Sequence, residues 1–136
     1  MAFTETATPH KKEGFLRVIH ATGHSLEGLA SAFKHESAFR QEAVLAAILV
    51  PIAAFLPVGL MGACLMVLSV FLVLIVELLN SAVEWAVDYI SLEKHPFAKR
   101  AKDMASGAVF LSLLNAAVIW SLVIAYNWRE ISALIR

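Results

Sequence analysis

Charge is scarce in this sequence, and cysteine is nearly absent. Charged side chains make up 16% of the 136 residues, and 11 basic groups cancel 11 acidic ones. A chain of zero formal net charge lacks the basic footprint of a nucleic-acid binder, so no nucleic-acid partner is expected. The single cysteine, Cys64, lies inside an apolar run. It leaves neither a disulfide framework nor a cysteine-based zinc site, and reads as a small hydrophobe. No G-x-x-x-x-G-K-[ST] phosphate loop and no soluble-kinase signature occurs. No long apolar run precedes Ala43, which is too late for a secretory signal peptide. Internal repeats and low-complexity tracts are also missing.

What is present is apolar. Hydrophobic residues make up 60% of the chain, and mean hydropathy is +0.74. A soluble domain of this size has too much surface for its volume to hide that composition, so lipid is the expected solvent. Three runs stand out: Ala43 to Met61, Leu60 to Val76 and Ala105 to Tyr126. A spanning helix needs about 20 residues. The first run is interrupted by Pro51 and spans only if it begins near Ala38, while the second continues through Asp88. The expected fold is therefore an all-α membrane protein. A polar tail covers 1–13 and a single domain covers 14–136, with spans at about 38–57, 60–90 and 103–126.

Upstream of the spans, at about 14–35, Phe15, Ile19, Leu26, Leu29, Ala30 and Phe33 share one helical stripe. With no soluble core to receive it, this helix is expected to lie in the membrane interface. Lys11, Lys12, Arg17, Lys34 and Arg40 precede the first span. Lys94, Lys99, Arg100 and Lys102 separate the second from the third, and only Arg129 and Arg136 follow. The positive-inside rule then puts the N-terminus and the second loop in the cytoplasm and the C-terminus outside.

The chemistry concentrates in Glu77-Leu-Leu-Asn-Ser-Ala-Val-Glu-Trp-Ala-Val-Asp88. Glu77, Asn80, Ser81, Glu84 and Asp88 are offset by 0, 3, 4, 7 and 11 positions and fall on one helix face. One Asn or Ser would suit a cohesive polar seam, but three acids repel one another and imply a cation or a proton to move. The loop from Glu93 to Asp103 brings basic side chains to the same membrane side, while Glu36, Glu84 and Asp103 offer oxygen ligands for a hard divalent cation. Acids and bases converging on a polar helix face fit phosphoryl transfer. The rival classes are an ion-relay subunit, which would spread acids through the membrane depth, and a structural scaffold, which leaves the acidic stripe unexplained. His20 and His24 lack a third partner for metal, whereas His95 lies within the basic loop.

These residues carry a resemblance. Glu-Leu-Leu-Asn-Ser-Ala-Val-Glu at 77–84, Arg-Ala-Lys-Asp-Met at 100–104, Glu-Ser-Ala-Phe-Arg-Gln-Glu at 36–42 and Gly-Phe-Leu-Arg at 14–17 resemble the small bacterial membrane diacylglycerol kinases. The resemblance implies a homotrimer in the bacterial inner membrane that transfers phosphate from ATP to diacylglycerol with Mg2+. Glu77 would be the base, and Glu36 and Glu84 the metal ligands. Arg17, His24, Glu36, Glu84, Glu93, His95, Lys102 and Asp103 would meet ATP. Arg17, Ser25, Arg40, Glu42, Glu77, Ser106 and Trp120 would meet lipid, with Asn80 and Asp88 in support. Lys94 and Pro96 resemble instead the branch of the family that phosphorylates undecaprenol, whereas Phe39-Arg-Gln-Glu42 resembles the diacylglycerol branch.

Overall fold

A computed structural model describes residues 14–90, 93 and 95–134. The expected polar tail, Lys94 and Arg136 lie outside the described residues. Every regular element among those described is helical: α1 (Gly14–His35), α2 (Ser37–Phe55), α3 (Gly59–Ile90), α4 (Pro96–Tyr126) and α5 (Trp128–Ala133). Contacts divide the chain into two compact units, Met1–Ser31 and Ala32–Arg136, with the boundary inside α1.

In the first unit the described side chains, from Leu16 onward, are exposed, including Leu16, Ile19, Leu26 and Leu29. An uncovered apolar stripe on a helix suits burial in the lipid interface. The hydroxyls of Thr22 and Ser25 donate back to the carbonyls of Val18 and Ala21, each at 2.9 Å.

In the second unit α2, α3 and α4 are each long and apolar enough to cross a membrane. This is a multi-pass membrane protein. The central helix is α3, which packs against both α2 and α4. Its buried residues Met66, Ser69, Val70, Val73, Glu77 and Ser81 recur at helical spacing along one stripe. Between lipid-bathed helices close packing replaces the hydrophobic effect, which favours small residues at the contacts. Ala46, Ala53, Ser69, Ser81 and Ser112 are accordingly buried, while Phe55, Leu68, Phe110 and Leu122 face outward.

The α2–α3 turn is tight. Leu56 is extended, the Val58 N–H donates to the Leu56 carbonyl at 2.8 Å, and Gly59 opens α3 at φ 68°. That backbone conformation favours glycine, which has no Cβ to clash. Beyond α4, which ends where Asn127 donates to the Val123 carbonyl at 2.8 Å, the short α5 turns back. Ile131 is buried there with Ala53, Val58 and Met66, which straps the end of α4 over the turn.

At the opposite, charged end, α4 begins at Pro96 rather than near 103, so most of the expected loop is helix. The cause is local. The His95 ring accepts the Phe97 N–H at 3.3 Å as an N-cap, Pro96 takes the first helical turn, and Lys99 pairs with Asp103 one turn on.

Candidate active site

Glu77 is the buried acid, 4% exposed, on the same α3 stripe that forms the helix–helix seam. It stands about 27 Å along the axis from Gly59, close to the far boundary of a hydrocarbon layer about 30 Å thick. The first turn of the polar face read from the sequence thus continues the packed seam, while Glu84 is half-buried and Asp88 is exposed. Ser81 is buried on that turn, and Asn80 donates to Glu84 Oε1 at 3.4 Å. Asn80 Oδ1 is buried without a partner among the described residues.

A second element completes the cluster. Glu36 occupies the one-residue break between α1 and α2, extended at φ −101° and ψ 113°. Glu36 and Glu84 both lie close enough to Glu77 for their charges to act on it, and the Glu77 charge reaches Glu42, one and a half turns along α2. Among the described residues, the ion pairs His24–Glu27, Lys99–Asp103 and Lys102–Asp88 leave this acidic group without a cationic side chain. The indole N–H of Trp85 donates to Glu36 Oε1 at 2.6 Å. Nothing in the sequence pattern flagged Trp85, because the bond joins residues 49 positions apart.

Magnesium is the metal expected here. No three His, Cys, Asp or Glu side chains among the described residues come together around one point. Glu36, Glu84 and Asp103 therefore do not form the three-donor set expected, and Asp103 pairs with Lys99 instead. Mg2+ is commonly held by one or two carboxylates together with substrate phosphates and water, and two hard oxygen donors flanking Glu77 meet that requirement.

The other expected site residues divide by location. Lys102 bonds Asp88 at 2.6 Å, linking the charged ends of α3 and α4. His95 caps α4 through Nδ1, so a neutral ring carries its proton on Nε2, and Glu93 is exposed. Arg40 spends its guanidinium on the last turn of α1, donating to the Phe33 and Lys34 carbonyls at 3.1 and 2.9 Å. Ser106 is exposed. Arg17, His24 and Ser25 are exposed on the first unit, where His24 faces Glu27 at 3.4 Å. Glu42 and Trp120 share a groove of about 320 Å³ between α2, α3 and α4, whose walls include Leu45, Leu49, Val73, Leu74, Leu113 and Ala117. Glu42 Oε2 and Trp120 Nε1 are buried without partners among the described residues. Both otherwise sit against apolar walls.

Comparison with known proteins gives the family. The family described as prokaryotic diacylglycerol kinase matches residues 23–124. The chain belongs to that family. It is 47% identical to the diacylglycerol kinase of Pseudomonas aeruginosa over 111 residues, which covers 82% of this chain and 90% of that one. The diacylglycerol kinase of Haemophilus influenzae is 47% identical over 111 residues, 82% of this chain and 94% of the relative. That of Escherichia coli K12 is 45% identical over 111 residues, with 82% and 91% covered. The family match encloses Glu36, Glu42, Glu77, Asn80, Glu84, Lys102 and Asp103, and ends before α5.

Proposed function

We propose that this chain phosphorylates diacylglycerol with ATP, giving phosphatidic acid and ADP at the cytoplasmic face of the inner membrane. The observation that carries the reading is the placement of Glu77. It is buried near the hydrocarbon boundary, with Glu36 and Glu84 beside it, and the apolar groove leads away from neighbouring Glu42. A lipid whose hydroxyl reaches Glu77 can lay an acyl chain along that groove. The Glu77 carboxylate takes the hydroxyl proton, and the freed oxygen bonds the γ-phosphorus. The bond from that phosphorus to the bridging oxygen then breaks, and ADP leaves. Mg2+ held by Glu36 and Glu84 would neutralise the phosphate oxygens and stabilise the charge that moves to the leaving group.

Arg17, His24, Glu93, His95, Lys102 and Asp103 are the side chains we assign to ATP. Its phosphates offer Lys102 a partner in place of Asp88. Arg17, Ser25, Arg40, Glu42, Ser106 and Trp120 are assigned to the lipid. In this reading the N-terminus is cytoplasmic, the C-terminus is periplasmic, and three copies assemble the working enzyme. The basic residues grouped at the charged end support that orientation.

The test is direct. Purified protein in detergent with ATP, Mg2+ and diacylglycerol should release phosphatidic acid, and Glu77→Gln protein should not. Diacylglycerol should exceed undecaprenol in turnover over half-saturation. The reverse ranking would assign the lipid to the polyprenol class, and no phosphorylated product from either acceptor would end the kinase reading.

A further inference from the structure

Glu36 is held in an unusual way for a residue at the start of a helix. An acidic residue at the N-cap ordinarily turns its carboxylate onto the first free N–H groups of its own helix. Glu36 has the extended N-cap backbone of α2 but makes no such side-chain bond. Its Oε1 instead accepts the Trp85 indole N–H at 2.6 Å, across from α2 to the charged end of α3. The geometry points to Trp85 as a positioning residue for the metal site: its N–H fixes the Glu36 carboxylate and leaves the second oxygen of that group to meet the cation. This rests on the reading of Glu36 as a metal ligand.

The bland explanation for Trp85 is an interfacial aromatic, since tryptophans gather at membrane boundaries. Two features favour the positioning role. Trp85 is 62% exposed in the single chain, so no other side chain of its own chain encloses the ring, and its one polar atom is committed to a carboxylate. It also follows Glu84 directly, so the α3 backbone that places one proposed ligand places the group that orients the other. Glu84 is held in the same manner, from Asn80. Each carboxylate thus has one oxygen engaged by a neutral donor. A neutral donor orients a carboxylate without cancelling the charge that attracts a cation, as a lysine or arginine would.

The experiment measures the metal and the contact separately. Mn2+ affinity is read by electron paramagnetic resonance on full-length protein with a non-hydrolysable ATP analogue, in wild type, Trp85→Phe, Glu36→Gln and the double variant. Phe keeps an aromatic ring at the boundary and removes the N–H, though the ring is smaller. Trp85→Phe should weaken Mn2+ by about tenfold, the lower end of what losing an outer partner of a metal ligand costs. The double variant should bind no more weakly than Glu36→Gln alone. The indole resonance of Trp85, one of three tryptophans, should shift upfield in Glu36→Gln protein as its carboxylate acceptor is lost. Weakened Mn2+ in Glu36→Gln with Trp85→Phe within twofold of wild type overturns the proposal and leaves the site reading intact. Unchanged Mn2+ affinity in Glu36→Gln overturns the ligand assignment itself, and with it any metal role for Trp85, whatever the indole resonance does.

Discussion

Replacing a carboxylate by an amide of the same shape separates the three central acids by role. Glu77→Gln removes a proton acceptor while conserving volume at a buried position. Its turnover should fall by about 10² to 10⁴, with ATP affinity close to wild type. Glu36→Gln and Glu84→Gln remove metal oxygens instead, so their rates should recover in part as Mg2+ is raised, which that of Glu77→Gln should not. Turnover against Mg2+ concentration for all three variants checks the division. A Glu77→Gln enzyme retaining more than about a tenth of wild-type rate is incompatible with a base at this position. The offsets along α3 made this face legible in the sequence, since helical period alone brings Glu77, Asn80, Ser81 and Glu84 into line. The partner of Glu36 was not legible, because neither periodicity nor motif links positions 36 and 85.

Among the elements, the α2–α3 turn is where backbone conformation leaves least freedom. Gly59 has φ 68°, and a Cβ built there would meet nothing within 4 Å. Any penalty for Gly59→Ala is therefore backbone strain rather than crowding. It should lower the unfolding free energy by about 1 kcal/mol, and Gly59→Asn should cost less because Asn tolerates the left-handed region. Thermal unfolding in detergent distinguishes the two, and an alanine variant as stable as wild type would show that the turn relaxes. The start of α4 teaches a related lesson. Residues 96–103 carry enough charge to read as loop, yet His95, Pro96 and the Lys99–Asp103 pair support a helix that stands clear of the hydrocarbon. At 31 residues, α4 rises about 46 Å, well beyond the membrane core.

For the whole molecule the expectations concern orientation and assembly. A reporter fused after residue 136 should face the periplasm and one inserted near His95 the cytoplasm. Labelling both from the same side would refute three crossings. Assembly is tested by complementation. The proposed site draws Arg17 from α1 and Glu77 from α3, and a trimer whose sites are shared would take these from different copies. Arg17→Ala and Glu77→Ala proteins, each inactive alone, should then regain part of the activity when unfolded and refolded together. Silence from the mixture, with subunit exchange demonstrated, would mean that each copy carries its own complete site.

The crossings and the acidic stripe were determined by the sequence alone. Crossing a bilayer demands a long run of apolar side chains, and helical period converts spacing into a shared face; both are local properties that survive without knowledge of neighbours. The tertiary structure decided the rest: that Glu77 and Ser81 face inward along the seam, that Glu36 is held by Trp85, that α5 straps the turn through Ile131, and that a groove runs from Glu42 to Trp120. Each depends on how helices distant in the chain pack side by side. In lipid that packing is governed by the fit of small and large residues across the contact, a property of pairs of surfaces that no single stretch of sequence contains.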